Sequence, residues 1–466
     1  PLMVFSSILF MFIYLPVVLF LYYISPVKWR NPILFVVNMI FYGWGEPVYI
    51  LLMLVSITIN YINGILIGKW RGVNDRKAKT VLVVNVVLNL SLLGFFKYYN
   101  LIAETLNLIP FISLPALNVT LPIGISFYTF QTMSYPIDVY RGDSHVQKNY
   151  ISFGTFVALF PQLIAGPIVR YKDVADQLDF RANSVDQFAS GVERFMIGVG
   201  KKVLIANNIG ALWDVYAASC GDLTFVGSWI GALAFSLQIY FDFAGYSDMA
   251  IGLGRMIGFE FLENFNYPYI SKSITEFWRR WHMSLGTWFR DYVYIPLGGN
   301  RCGKARQIFN ITVVWALTGI WHGANWTFLI WGLYYAFWLL LEKTFLLKYL
   351  EKSRVWSHVY TILVVVLVWP LFQLNDIGLA GQYTSAMLGF GANGFIRSED
   401  VFYLTSYAAT FVIAIFACTP AGAKLWHKLP KGFVRVAAPV IILIALIIST
   451  AYLVDASYNP FLYFNF

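Results

Sequence analysis

ITVVWALTGIWHGANWTFLIWGLYYAFWLLLE, residues 311–342, holds a single side chain that ordinarily titrates near neutral pH before its final Glu342, and that side chain is His322. No formally charged residue stands between Arg306 and Glu342. A run this long and apolar reads as membrane sequence, and a titratable group at membrane depth is costly enough to mark a functional site. Imidazole is also the side chain suited to moving a proton near neutral pH. Forty positions upstream, His282 sits in ITEFWRRWHMSLGTWFRDYVYIPLGG. Chemistry is expected at this histidine pair.

The rest of the chain supports a membrane reading. Its 466 residues are 59% hydrophobic, 18% aromatic and only 12% charged, with mean hydropathy +0.64, which excludes an ordinary soluble domain. Apolar runs fall at 4–25, 33–44, 48–67, 81–98, 121–138, 151–169, 190–208, 226–250, 307–320, 326–341, 356–374, 402–419 and 436–454. The runs 33–44 and 307–320 are too short to cross alone, and the second is expected to break at the His322 motif, so bent or re-entrant pieces are anticipated there. The fold class expected is all-α: a polytopic transmembrane bundle of about 11 spans, with re-entrant and amphipathic cytoplasmic helices around a central tunnel. It is read as one membrane domain, 3–466, made of N-terminal spans (4–254), an amphipathic segment (255–306), the His322 segment (307–345) and C-terminal spans with an aromatic tail (346–466). The first run, Val4 to Ser25, reads as a retained span because it lacks a basic leader and a small-residue cleavage site.

The formal charge of +9 raises the question of nucleic acid. The basic residues instead gather in short gaps between apolar runs, as at Lys69, Arg71, Arg76, Lys77 and Lys79, which is the pattern of cytoplasmic membrane loops. Nucleic-acid binding is rejected on that ground, and the membrane lipid is the expected surrounding. The loops 99–120, 209–225 and 375–401 carry one basic residue, Arg397, and belong on the opposite side. Walking the spans under this constraint puts both termini outside. Cys220, Cys302 and Cys418 have no metal-ligand or redox spacing, so neither a disulfide framework nor a metal site is expected.

Residues 255–306 are basic yet repeat Phe277, Trp278, Trp281, Leu285, Trp288, Phe289 and Tyr292 at three- and four-residue spacing. This predicts one amphipathic helix with an aromatic face, His282 lying on the side shared with Trp278, Leu285 and Phe289. Two other apolar segments are rich in polar groups: 121–142, with Ser126, Gln131, Ser134 and Asp138, and 237–254, with Asp242, Ser247 and Asp248. In a bilayer such groups find partners inside the protein or line a wet cavity. They suggest a polar tunnel walled by aromatic rings, with Trp278, Trp281, Trp321, Asn325, Trp326, Asp242 and Ser247 as tunnel or substrate residues. The plainer reading makes the serines and glutamines packing glue and leaves Asp242 and Asp248 solvated near the helix end or paired with Arg279, Arg280 or Arg290. Gly319 and Gly323 would allow a ligand to approach His322 closely, and Trp321, Asn325 and Trp326 offer N–H donors.

The phrases SITEFWRRWHMSLGTWFRDYVYIPLGGNR and TGIWHGANWTFLIWG resemble the membrane-bound O-acyltransferase family. PIGISFYTFQTMSYPIDVYRG, FPQLIAGPIVRYKD, QIYFDFAGYSDMAIGLG and ENFNYPYISKSITEFWRRWH resemble its bacterial branch, which O-acetylates alginate or peptidoglycan or D-alanylates teichoic acid. The resemblance covers Met3 to about residue 345, and its wording is nearer to the two O-acetylating groups. It implies His322 as the catalytic histidine and His282 as its second motif residue. It also implies acetyl-CoA as the donor substrate with no permanently bound cofactor, a polysaccharide acceptor outside the cytoplasmic membrane, and an extracytoplasmic SGNH-type acetyltransferase partner. The closing FLYFNF resembles a tail whose tyrosine, here Tyr463, would carry acyl on the outer side; otherwise it is an interfacial aromatic belt. Rival readings are a transporter or channel, or an acyltransferase acting on lipid or protein.

Overall fold

A computed structural model describes residues 3–164, 166–455 and 461–462. Every regular element among them is a helix. Helices satisfy their backbone hydrogen bonds within one segment, which an apolar surrounding demands. Among the described residues six helices are long and apolar enough to cross a bilayer: Ile50–Trp70, Asp75–Leu106, Val185–Ala218, Trp326–Leu350, Arg354–Gln373 and Lys431–Asp455. A further pair, Ser398–Ser406 and Ala408–Ala417, bends by 55° within what the sequence suggests is one span. Only 11% of the best window of Lys431–Asp455 and 17% of that of Asp75–Leu106 is buried. Residues such as Val440, Leu443 and Ile447 therefore face outward, where lipid and not water can accommodate them.

The chain divides into two compact units. The first comprises residues up to Phe195 together with Tyr246–Leu262; the second comprises Met196–Gly245 and Glu263–Leu462. In the first unit, α1 (Ile50–Trp70) and α2 (Asp75–Leu93) are joined by a triad of buried amides. Asn60 Nδ2 donates to Asn89 Oδ1 at 3.0 Å, while Asn85 and Asn89 each donate to Asn60 Oδ1 at 3.1 Å. Beside them α3 (Ile125–Arg141) packs its Tyr135 ring over Gly64, where a Cβ would sit 2.2 Å from the ring. The polar residues of α3 are sheltered by protein: Gln131, Ser134 and Asp138 are all fully buried, and Lys172 lies 3.5 Å from the Asp138 carboxylate. The run 151–169 is not one segment, since Tyr150–Ala158 ends at an extended Leu159 before the short helix Phe160–Leu163.

The long helix α4 (Phe225–Met256) carries the two aspartates, and neither meets the arginines expected from sequence. In the first unit Asp248 pairs with Arg194 at 2.7 Å. In the second, Asp242 pairs with Lys202 at 2.5 Å and accepts the Leu462 N–H at 2.8 Å. Both members of the Asp242–Lys202 pair are buried. Basic groups on nearby helices reach these carboxylates, whereas Arg280 and Arg290 pair with Glu276 and Asp291.

The amide triad predicts an asymmetry in stability. Asn60→Leu strands the amides of Asn85 and Asn89 and should cost on the order of 1 kcal/mol. Replacing all three by Leu should recover most of that loss, as read from thermal unfolding in detergent.

Candidate active site

The second unit brings the two histidines together. Helices α5 (Ile274–Arg280) and α6 (Met283–Phe289) precede α7 (Lys304–His322), which ends on His322 itself. The helix ends at the histidine and Gly323 is extended, so the run breaks at the His322 motif as the sequence leads one to expect. After a three-residue connection, α8 (Trp326–Leu341) returns against α7. Glycine makes this pairing feasible: a Cβ on Gly319 would lie 2.2 Å from the Phe328 carbonyl oxygen, and one on Gly332 would lie 2.3 Å from that of Trp315. A Cβ on Gly323 would strike the Phe328 ring at 2.1 Å. These glycines serve helix-on-helix contact, not the approach of a ligand.

Two of the expected site residues belong to this scaffold. Asn325 caps α8, accepting the Thr327 N–H at 3.0 Å and donating to the Asn375 carbonyl at 2.6 Å. Trp326 is 44% exposed. Neither is directed at the histidines. His322 is buried, and its ring centre lies 5.1–5.2 Å from those of Trp321, Trp331 and Phe372. Phe372 comes from α9 (Arg354–Gln373).

His282 does not lie within an amphipathic helix. The chain breaks there: Trp281 is extended and His282 adopts the left-handed conformation, φ 45°, ψ 52°, before α6 begins. A non-glycine residue in this region is strained by roughly 1–2 kcal/mol, and such strain concentrates at functional sites. The imidazole is thereby turned inward. Its centre lies 4.7 Å from Phe243, 6.0 Å from Trp321 and 6.3 Å from His322. Its Nδ1 is 3.1 Å from Asn264 Oδ1. Burial pulls its pKa down to about 3, so the ring is neutral at physiological pH.

One buried carboxylate ties the helix that precedes His282 to the hairpin bearing His322. Glu342, just past α8, accepts the Ile274 N–H at 2.6 Å, the Thr275 N–H at 2.8 Å and the Thr275 hydroxyl at 2.6 Å. The Tyr360 hydroxyl adds a fourth contact at 3.1 Å. These are the orphan donors at the start of α5, and a negative charge there is favoured by the helix dipole.

Aromatic rings complete the surroundings. Trp278 lies 5.5 Å from Trp331 and 4.8 Å from Tyr335, ring centre to ring centre. The indole N–H groups of Trp278 and Trp331 and the Tyr335 hydroxyl are buried without an acceptor among the described residues. Trp281 packs deeper, against Phe277 and Trp369. Of the remaining expected residues, Asp242 belongs to the same unit and precedes Phe243, the ring that packs on His282. Ser247 falls in the first unit. Tyr463 lies outside the described residues.

Sequence reading passed over Trp331, Tyr335, Phe243, Asn264 and Glu342. The four-residue spacing of Trp331 and Tyr335 on one helix face was a usable signal, as was Glu342 being the first charged residue after Arg306. Replacing Glu342 by Ala leaves two buried N–H groups unmet and should lower stability by about 2–3 kcal/mol, while Gln should cost less. Thermal unfolding checks this: Glu342→Ala should melt lower than Glu342→Gln and wild type, whereas equal behaviour of Ala, Gln and wild type would contradict the clamp.

Comparison with known proteins meets this geometry from a separate direction. The chain is 40% identical to a probable alginate O-acetylase of Azotobacter vinelandii over 505 aligned positions, covering all of both chains. It is 47% identical to a probable alginate O-acetylase of Pseudomonas aeruginosa, covering 92% of this chain and 83% of that one. It is 30% identical to a peptidoglycan O-acetyltransferase of Helicobacter pylori, covering 100% and 98%. A family profile matches residues 120–374, the interval that contains both histidines and the helices that hold them. The chain belongs to the membrane-bound O-acyltransferase family.

Proposed function

We propose that this membrane enzyme transfers acetyl from acetyl-CoA, taken at the cytoplasmic face, toward a polysaccharide outside the cytoplasmic membrane. The observation that carries the reading is the pair of buried imidazoles, 6.3 Å apart between centres, enclosed by rings that present unmet N–H and O–H donors. Its similarity to alginate O-acetylases and to a peptidoglycan O-acetyltransferase supports the acetyl group and a polysaccharide acceptor.

The chemistry follows from the groups present. A hydroxyl attacks the thioester carbonyl as a neutral imidazole accepts its proton; the C–S bond then breaks and the thiolate takes a proton in return. His322 is the catalytic histidine and His282 its partner. General-base help of this kind contributes about 10²–10⁴-fold. The indole N–H groups of Trp278 and Trp331 and the Tyr335 hydroxyl are suited to the oxyanion that forms, each such donor contributing on the order of 10²-fold in a water-poor site. The aromatic enclosure keeps bulk water from competing for the thioester.

On the outer side, Tyr463 carries the acetyl group as an ester before an SGNH-type partner completes transfer. The distribution of basic loops supports a reading in which that side lies opposite the cytoplasm, with both termini outside. His322→Ala at normal protein level should reduce thiol release from acetyl-CoA by at least about 10²-fold in purified protein supplied with acceptor and partner. Unchanged release would exclude His322 from the reaction. Tyr463→Phe should preserve thioester cleavage while product acetylation disappears; normal acetylation would remove Tyr463 from the route.

A further inference from the structure

We propose that Asn264 is a positioning residue that fixes the tautomer of His282, so that this imidazole accepts a proton through Nε2. The Ser284 backbone N–H can only donate, and it lies 3.2 Å from Asn264 Oδ1. The Ser284 hydroxyl donates to the same oxygen at 2.9 Å. Turning the amide over would set an NH2 group against an N–H group, so the carbonyl oxygen belongs there. That oxygen is also the atom 3.1 Å from His282 Nδ1. A neutral imidazole carries one N–H, and opposite a carbonyl oxygen it must be on Nδ1. Nε2 is then the lone-pair nitrogen.

The backbone around this contact is built to keep it. Tyr267 and His282 are the two non-glycine residues with positive φ among the described residues, and both belong to this assembly. The segments that carry them are cross-braced: Asn266 N–H donates to the Arg280 carbonyl and Met283 N–H to the Asn264 carbonyl, each at 2.9 Å. Strain at His282 is thus held by the segment that supplies Asn264. Asn264, His282 and Ser284 are all buried, and burial keeps the ring neutral. The ionisable groups on the elements around it are His322 on α7, Glu263 beside Asn264, Arg280 held by Glu276, and Asp242 held by Lys202.

This deepens the acyl-transfer reading and, in its catalytic consequence, rests on it. As the hydroxyl oxygen bonds to the thioester carbon, its O–H bond breaks and a new N–H bond forms at His282 Nε2. The resulting cation is stabilised through Nδ1–H and the Asn264 oxygen, then returns the proton to the thiolate released when the C–S bond breaks. His282 so held receives a proton first; it does not begin as an oxyanion donor. Asn264 takes the place of the third group that orients a base in nucleophilic triads.

The test reads the tautomer directly. The chain has five histidines. ¹⁵N-histidine labelling of the purified membrane protein, with His282 assigned by its loss in His282→Gln, should show a protonated Nδ1 and an unprotonated Nε2 near neutral pH. Asn264→Asp keeps the acceptor and adds charge, so His282 should retain Nδ1–H and protonate at higher pH than in the wild type. Asn264→Leu should scramble the tautomer and lower kcat on the order of 10²-fold with KM little changed. A wild-type ring protonated on Nε2 overturns the proposal even if the Leu variant fails to fold. So does an Asn264→Leu protein with unaltered tautomer and rate. The expected tautomer in a protein that cleaves no thioester would sink the acyl-transfer reading and leave the tautomer assignment standing.

Discussion

The site depends on one ionic contact, between the Glu342 carboxylate and the N-terminus of the helix that leads to His282. Helix α8 packs on α7 through glycine, so the position of Glu342 is fixed by the same hairpin that presents His322. From Glu342 the order passes along α5 to the break at His282, where Asn264 turns the ring inward. Two imidazoles forty positions apart in sequence are thereby set within one enclosure. An ion–dipole contact is strong here because the carboxylate is buried and its lone pairs are met by four donors.

A second regularity concerns where polarity is kept. Helices with apolar exteriors, such as Lys431–Asp455, are largely exposed, while the polar helices Ile125–Arg141 and Phe225–Met256 are buried. Hydrogen-bonded amides, the Asp242–Lys202 pair and the histidines are all held away from the apolar exterior. In lipid this arrangement minimises unmet polar groups, and it gives acyl chemistry a setting with little water. A hydroxyl acceptor competes poorly with water in the open, so exclusion is part of the function and not only of the fold.

Much of this was legible in the chain itself. Helical class followed from recurrent apolar runs, and His322 stood out as the sole histidine in a run with no formal charge. His282 was legible as a residue but not as a conformation: RRWHMS contains neither glycine nor proline, and aromatic spacing on both sides argued for a continuous helix. The break is imposed by Asn264, eighteen positions away, and by backbone bonds to Asn264 and Asn266 that no local pattern encodes. Gly319 and Gly323 read from sequence as room for a ligand because a neighbouring element and a substrate ask the same of them. For Asp242 and Asp248 the sequence offers solvation at a helix end or Arg279, Arg280 and Arg290 as partners, whereas Lys202 and Arg194 reach them through tertiary packing. Asn325 and Trp326 sit beside His322 in sequence, yet the turn after α7 directs them to capping and to the surface.

The central claim is that acetyl passes from a thioester on one side of the membrane to a hydroxyl on the other through the His282–His322 site. The most direct measurement reconstitutes the protein in sealed vesicles with labelled acetyl-CoA at the face bearing the basic loops, and with acceptor and partner confined to the other. The account predicts labelled acceptor, together with thiol released on the donor side, and loss of both in His322→Ala. Labelled acceptor formed equally well by His322→Ala, or intact acetyl-CoA crossing without thiol release, would contradict it.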